Sequence, residues 1–253
     1  IQRHLGRTGR VIVRGSCGAA GSSAFVVGAG GEDVDGLLRR LTRRVDNRLY
    51  LVEAMVPATV SPNVQLHIAP DGGSITCVGV TDQRWERALV HGGNLYPSRA
   101  RTVESMLEWA CRMARWLQRE GYAGLLGLDF VEYRDPRSGE HRAFLAEVNP
   151  RVNGATYPLA VLERLNAVQR SAGRPESRAF VSGSVEIRSP TFAAFRRAAE
   201  PLLYSPVTGR GVMPYTIGAL AHGRCGVVVL GASHDEVLRA YGEFQTWCRR
   251  EAR

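Results

Sequence analysis

The 253-residue chain has no lysine: all 33 of its basic side chains are arginine, and with 24 acidic residues they leave a formal charge of +9. Such a bias is first of all compositional. A positive balance also favours polyanions such as nucleotides. The arginines are dispersed and form no basic stripe interleaved with aromatics, which argues against nucleic acid as the main partner. Cysteine is scarce and scattered, at positions 17, 77, 111, 225 and 248. The number is odd and no Cys-x-x-Cys pair occurs, so neither a disulfide framework nor a zinc site is expected. A reducing cytoplasm is the simplest setting. No apolar run approaches the ~18 residues of a membrane span, so no membrane partner is expected. The six histidines show no metal-binding spacing. No signal peptide opens the chain. The first residue is Ile1 rather than Met, and strand-like sequence follows closely; upstream sequence is therefore expected to be missing.

What remains is an ordinary globular composition, 44% hydrophobic and 23% charged, long enough for one large domain or two smaller ones. Strand patterns run over Arg10–Gly15 and Ala24–Gly28, separated by the small-residue run Ser16 to Ser23. A helix is predicted over Glu32–Asp46, a short strand over Leu49–Ala54, and a hairpin about Pro70-Asp71-Gly72-Gly73. A long amphipathic helix is predicted over Arg101–Glu120, its stripe of Met106, Ala110, Met113, Ala114 and Leu117 read as core. Strands over Gly124–Tyr133 and His141–Val148 flank a turn at Asp135–Gly139. A helix over Thr156–Asn166, a polar linker over Gln169–Ser177 and further strands and helices complete an α+β pattern. The last helix starts at Ser233, with Glu236 placed to close a capping box.

The informative segment joins Gly127-Leu128-Asp129-Phe130 to Glu147-Val148-Asn149-Pro150-Arg151-Val152-Asn153-Gly154. Glu147 and Asn149 lie two apart on a strand and share a face. A hairpin centred on Ser138 sets Asp129 opposite Glu147, since each is nine positions from that centre. Two carboxylates and an amide oxygen then converge, a donor set suited to Mg²⁺. On spacing alone, a solvated outer strand face accounts for the pattern equally well.

In combination these residues resemble the metal-binding hairpin of the ATP-grasp superfamily of carboxylate–amine ligases. The order upstream is similar too: in that family a basic residue ends a strand before a glycine-rich loop over the ATP phosphates, and Arg14 precedes such a run here. The family usually has lysine at that position, and a flexible hairpin turn would look the same in isolation. The resemblance implies two β-rich lobes sandwiching ATP, with lobe one at about 1–56, lobe two at about 57–170, and a small C-terminal α/β domain over 178–253. The family's N-terminal domain is expected to have no counterpart in the chain. The implied nucleotide-binding residues are Arg14, Ser16, Gly18, Ala19, Ala20, Gly21 and Ser22 on the phosphates, and Glu53, Ala54, Met55 and Val56 at the adenine edge. The implied metal ligands are Asp129, Glu147 and Asn149. Arg151 is implied as the catalytic residue, steadying charge on the transferred phosphoryl group; a surface arginine is the plainer alternative. No acid occupies Pro57 to Ser61, where the family often places a ribose ligand.

A narrower likeness is to the pheganomycin-type peptide ligases. It is carried by Thr81-Asp82-Gln83, Gly93-Asn94-Leu95-Tyr96-Pro97, Gly209-Arg210-Gly211-Val212 and Gly231-Ala232-Ser233-His234-Asp235-Glu236. The expected function is ATP- and Mg²⁺-dependent amide formation, through an acyl phosphate, between an amino-acid-like carboxylate and the amine of a peptide or amino acid. A homodimer is a further expectation. A biotin-carboxylase-like enzyme and a non-catalytic ATP-binding regulatory module are the alternatives.

Overall fold

The computed structural model describes residues 1–15, 24–41, 49–87, 90–187, 189 and 191–251. The chain divides into two compact units, Ile1–Ala58 with Trp85–His91, and Thr59–Arg84 with Gly92–Arg253.

In the first unit, strands β1 (Arg10–Gly15), β2 (Ala24–Gly28) and β3 (Tyr50–Ala54) form an antiparallel sheet in the order β2-β1-β3. Val11, Val13, Phe25 and Val27 alternate onto one face and bury Leu37 of helix α2 (Val34–Leu41). The helix begins at Val34 rather than Glu32. The Asp33 carboxylate accepts the Gly36 N–H at 2.7 Å, the cap geometry that keeps Asp33 outside the first turn. Residues 42–46, predicted as the rest of this helix, lie outside the described residues. A helix α1 (Gln2–Thr8), which no sequence pattern signalled, precedes β1 and stops at Gly9 in the left-handed conformation.

The second unit is built on strands β4 (Ala58–Val60), β5 (Pro62–Ile68), β6 (Ile75–Arg87), β7 (Val90–Tyr96), β8 (Gly124–Arg134), β9 (His141–Asn149), β10 (Ala179–Glu186), β11 (Gly211–Pro214) and β12 (Arg224–Gly231). They form one nine-stranded sheet in the order β11-β12-β10-β7-β6-β5-β8-β4, with β9 on β8. Helix α3 (Val103–Arg119) buries Met106, Ala110 and Ala114 against Val64, Leu66, Leu126, Leu128 and Phe130. The helix period of 3.6 meets the strand period of two on this face. Helix α4 (Thr156–Ser171) sets Leu159 and Leu162 against Phe180, Val228 and Leu230. The alternate residues Val181, Val227 and Val229 pack instead with helix α5 (Phe192–Ala199) and helix α6 (His234–Glu251) through Phe195, Val237 and Phe244.

Two features differ from the sequence expectation. The strands of segment 178–253 form no sheet of their own, because β10 pairs with β7 and continues the large sheet. The supposed linker 169–177 is tied down. Gln169 is buried and donates to the carbonyls of Pro175 and Pro206 at 2.9 and 2.8 Å, while Asn166 and Ser177 exchange two hydrogen bonds. Hydrogen bonds from these side chains fix a segment whose composition reads as loop.

The C-terminal capping box forms in part. Ser233 Oγ accepts the Glu236 N–H, but the Glu236 carboxylate takes the Ala232 N–H and pairs with Arg210. Among the described residues no helix is long and apolar enough to cross a membrane.

Candidate active site

Strand β8 lies between β5 and β9, and the registers set two rows of side chains across the three strands. Asn63, Asp129 and Glu147 form one row; Gln65, Gly127 and Asn149 form the next. The intervening Val64 and Leu128 point to the opposite face and into the core. The row depends on a bulge. From Arg134↔His141 to Phe130↔Leu145 the pairing is regular, but Asp129 pairs with Glu147, so β9 carries one extra residue, Ala146. Without it Asp129 would face Ala146. A slip of one residue would also turn Glu147 to the other face.

Amides surround Asp129. Asn63 donates to one carboxylate oxygen, and Asn149 Nδ2 donates to the other at 3.0 Å. Arg151 donates to Asn149 Oδ1 at 2.9 Å. Behind this layer Gln65 Nε2 donates to Asn63 Oδ1 at 2.7 Å and to Asn153 Oδ1 at 2.9 Å, and Thr156 Oγ1 donates to Gln65 Oε1 at 3.0 Å. Asn63 and Gln65 are 2% and 0% exposed, so the β5 part of this face is polar yet dry, while Asp129 is half-buried and Glu147 is exposed. Gly127 leaves the space that Asn153 fills: a Cβ there would come within 2.0 Å of Asn153 Nδ2 and 2.6 Å of Gln65 Nε2.

Burial pushes the Asp129 carboxyl up to about 6. The Asn63 hydrogen bond opposes that rise, the neighbouring Glu147 charge adds to it, and Asn149 and Arg151 oppose it. The arrangement thus holds two carboxylates side by side with an amide oxygen at hand. Hard oxygen donors around incompletely compensated negative charge fit Mg²⁺, and a divalent cation would favour the charged form of Asp129 and lower its pKa. Asp129, Glu147 and Asn149 are the residues that could hold it. Among the described residues no group of three His, Cys, Asp or Glu side chains is arranged for a metal, and this set has two carboxylates with an amide.

The other expected site residues lie on the first unit. Arg14 and Glu53 are diagonal neighbours on one face of the β1–β3 pair, with Arg14 Nε 3.2 Å from Glu53 Oε2. Ala54 ends β3, and the Met55 N–H donates to the Arg10 carbonyl at 3.1 Å, so this donor is engaged within the unit. Val56 follows, partly buried, outside any strand. Ser16, Gly18, Ala19, Ala20, Gly21 and Ser22 lie outside the described residues. Asn63, Gln65, Asn153 and Thr156 were not singled out from sequence. The signal available was the alternation Asn63-Val64-Gln65-Leu66, which puts two amides on one face of a buried strand.

The ATP-grasp domain family matches residues 5–155, well over half of the chain and all of the strands that carry these residues. The chain belongs to the ATP-grasp domain family. No curated protein matches it. Among solved structures it is similar in fold to the ADP complex of purK, N5-carboxyaminoimidazole ribonucleotide synthetase, at 13% identity, over 99% of this chain and 64% of that one, with a TM-score of 0.63. Carboxyaminoimidazole ribonucleotide synthase from Aspergillus clavatus, complexed with ATP, matches at 13% identity over 100% of this chain and 65% of that one, TM-score 0.60. The biotin carboxylase domain dimer of Hydrogenobacter thermophilus 2-oxoglutarate carboxylase, with MgADP and bicarbonate, matches at 12% identity over 91% and 55%, TM-score 0.58. The likeness is one of ATP-grasp fold, and the chain spans a little under two thirds of the first two structures.

Proposed function

We propose that this chain is the catalytic core of an ATP-dependent carboxylate–amine ligase. The observation that supports it is the row Asn63–Asp129–Glu147 with Asn149 and Arg151 beside it. Asp129, Glu147 and Asn149 would hold Mg²⁺, which, when bound, supplies the positive charge that balances the phosphates of ATP. Asn63 and Asn149 fix Asp129, and Arg151 holds Asn149, so little reorganisation is needed when charge develops. A substrate carboxylate oxygen attacks the terminal phosphorus, the bond to ADP breaks, and an acyl phosphate results. An amine then adds to the acyl carbon, phosphate leaves with one oxygen of the original carboxylate, and the amine loses a proton. Arg151, hydrogen-bonded to Asn149 beside the acidic row, is assigned to charge that grows on the transferred group. Arg14 and Glu53 are assigned to the nucleotide, the former on phosphates and the latter with Ala54 to Val56 near adenine.

The amine is assigned to a peptide or amino acid, on the likeness at 81–83, 93–97, 209–212 and 231–236. In the fold Thr81, Asp82 and Asn94 are buried, with Asp82 accepting from Ser98 Oγ and from Arg99 N. Those residues support the hairpin stem, so the choice of amine rests on the C-terminal motifs.

A second reading takes bicarbonate as the acid, and the carboxylating enzymes among the similar structures favour it. Incubation with ATP, Mg²⁺ and mixed carboxylates and peptides, followed by mass spectrometry, separates the two. Ligation predicts a new amide with ADP and phosphate, and ¹⁸O passing from the carboxylate to phosphate. Turnover only with bicarbonate supports the second reading, and label in AMP overturns both.

A further inference from the structure

Helix α3 buries one face in the core and leaves two tryptophans on the other. Trp109 is 61% and Trp116 49% exposed. They are seven residues apart, so they lie on one line along the helix. Arg112 stands between them with its guanidinium 5.2 Å from the Trp109 ring centre. Large aromatic residues beside an arginine are the composition of interface centres rather than of solvated helix faces.

The charges on the same outer surface are segregated. Within Val103–Arg119 the exposed acids are Glu104 and Glu108, in the first half, and the exposed bases are Arg112, Arg115 and Arg119, in the second. Glu108 and Arg115, again seven apart, form a line beside the tryptophan line. Such a surface complements itself when turned end over end. In an antiparallel pair about a two-fold axis near Arg112, Trp109 of one helix meets the partner helix's second tryptophan on one side. On the other side Glu108 meets the partner's second-half arginines. A two-fold contact requires this kind of self-complementarity.

We infer that the outer face of α3 is a homodimer surface, with a second copy of this chain as its occupant. The inference is independent of the reaction assigned above. A 17-residue helix is about 25 Å long, so two such helices bury less than the standard interface of about 1,200–2,000 Å². The dimer is therefore a concentration-dependent one.

Sedimentation velocity of the 253-residue chain, over about 1–200 μM at low salt, tests this. The 27.7 kDa chain is expected to move towards twice its mass as concentration rises, and less so at high salt. Trp109→Ser with Trp116→Ser is expected to remain monomeric throughout with an unchanged circular dichroism spectrum. Glu108→Arg is expected to weaken the dimer about tenfold or more. Combining it with Arg115→Glu is expected to restore association, because the pair is exchanged across the two-fold axis. A wild-type chain that stays monomeric at every concentration overturns the inference. So does a dimer indifferent to the tryptophan pair, or a double charge exchange that weakens as much as the two single ones combined.

Discussion

Strand β8 carries two shielded carboxylates in opposite electrostatic states. Glu132, on the core side near the start of α3, accepts the N–H groups of Arg101 and Thr102 at 2.7 and 2.8 Å and the Thr102 hydroxyl at 2.8 Å. His141 and Thr59 approach its other oxygen. Burial alone would raise its pKa, but these donors, the Thr102 groups foremost, hold it below the usual carboxylate range. Asp129, three residues earlier on the other face, has amide donors and a second carboxylate next to it, and rises to about 6. Burial is common to both; what differs is whether the protein itself completes the charge. Glu132 is finished by a helix N-terminus and belongs to the architecture. Asp129 is left short of positive charge, which is the property of a site awaiting a cation.

That contrast can be broken from either side. The largest effect is expected on the Asp129 side: Glu147→Gln and Asn149→Ala each reduce ATP-dependent turnover by about 10³ or more, with thermal unfolding close to wild type. Activity near wild type at limiting Mg²⁺ in both would remove the metal assignment. Arg151→Ala is expected to lower kcat by about 10²–10³ with little change in the KM for ATP, since its charge matters most as the transferred group develops charge of its own. On the Glu132 side, Glu132→Gln is expected to lower stability by about 2–3 kcal/mol, the usual worth of hydrogen bonds to a charged group, while metal affinity is retained. Urea denaturation with a parallel Mg²⁺ titration separates the two quantities. Gly127→Ala, which drives a methyl group into Asn153, is expected to be milder, about 1–3 kcal/mol, and to lower metal affinity as the amide layer shifts.

Much of this was legible in the sequence where local chemistry decides. The apolar stripe of α3, the turn at Asp135–Gly139 and the shared face of Glu147 and Asn149 all follow from period and turn residues. The Asp129–Glu147 pairing was anticipated from a hairpin centred on Ser138, yet the observed turn centres half a residue earlier and the Ala146 bulge restores the register. A bulge of that kind leaves no mark on the hydrophobic pattern. Asn63 and Gln65 were missed because their role is set by β5 lying beside β8, with Asn63 opposite Asp129 66 residues away in sequence, and strand order is not written in either strand alone. The stretch 169–177 misled for the opposite reason. Its composition is that of a linker, yet its first residues extend α4 to Ser171, and hydrogen bonds of Gln169 and Asn166 tie down the rest.

The most direct test of the central claim, that Asp129 and Glu147 are held in want of a cation, is the pH dependence of stability with and without Mg²⁺. The folded pKa of Asp129, about 6, exceeds its ordinary value of 3.8. The stability this group contributes is therefore present below the unfolded pKa and is lost as pH rises through about 6, by an amount on the order of 3 kcal/mol. Urea unfolding without metal should show that decline between about pH 4 and pH 6, and Asp129→Asn should flatten it. Mg²⁺ with ADP should restore stability at about pH 7 and have little effect near pH 4, where protons compete for the carboxylates. A wild-type profile that stays flat through this range, or a Mg²⁺ effect equal in size at both pH values and unchanged in Glu147→Gln, would contradict the account.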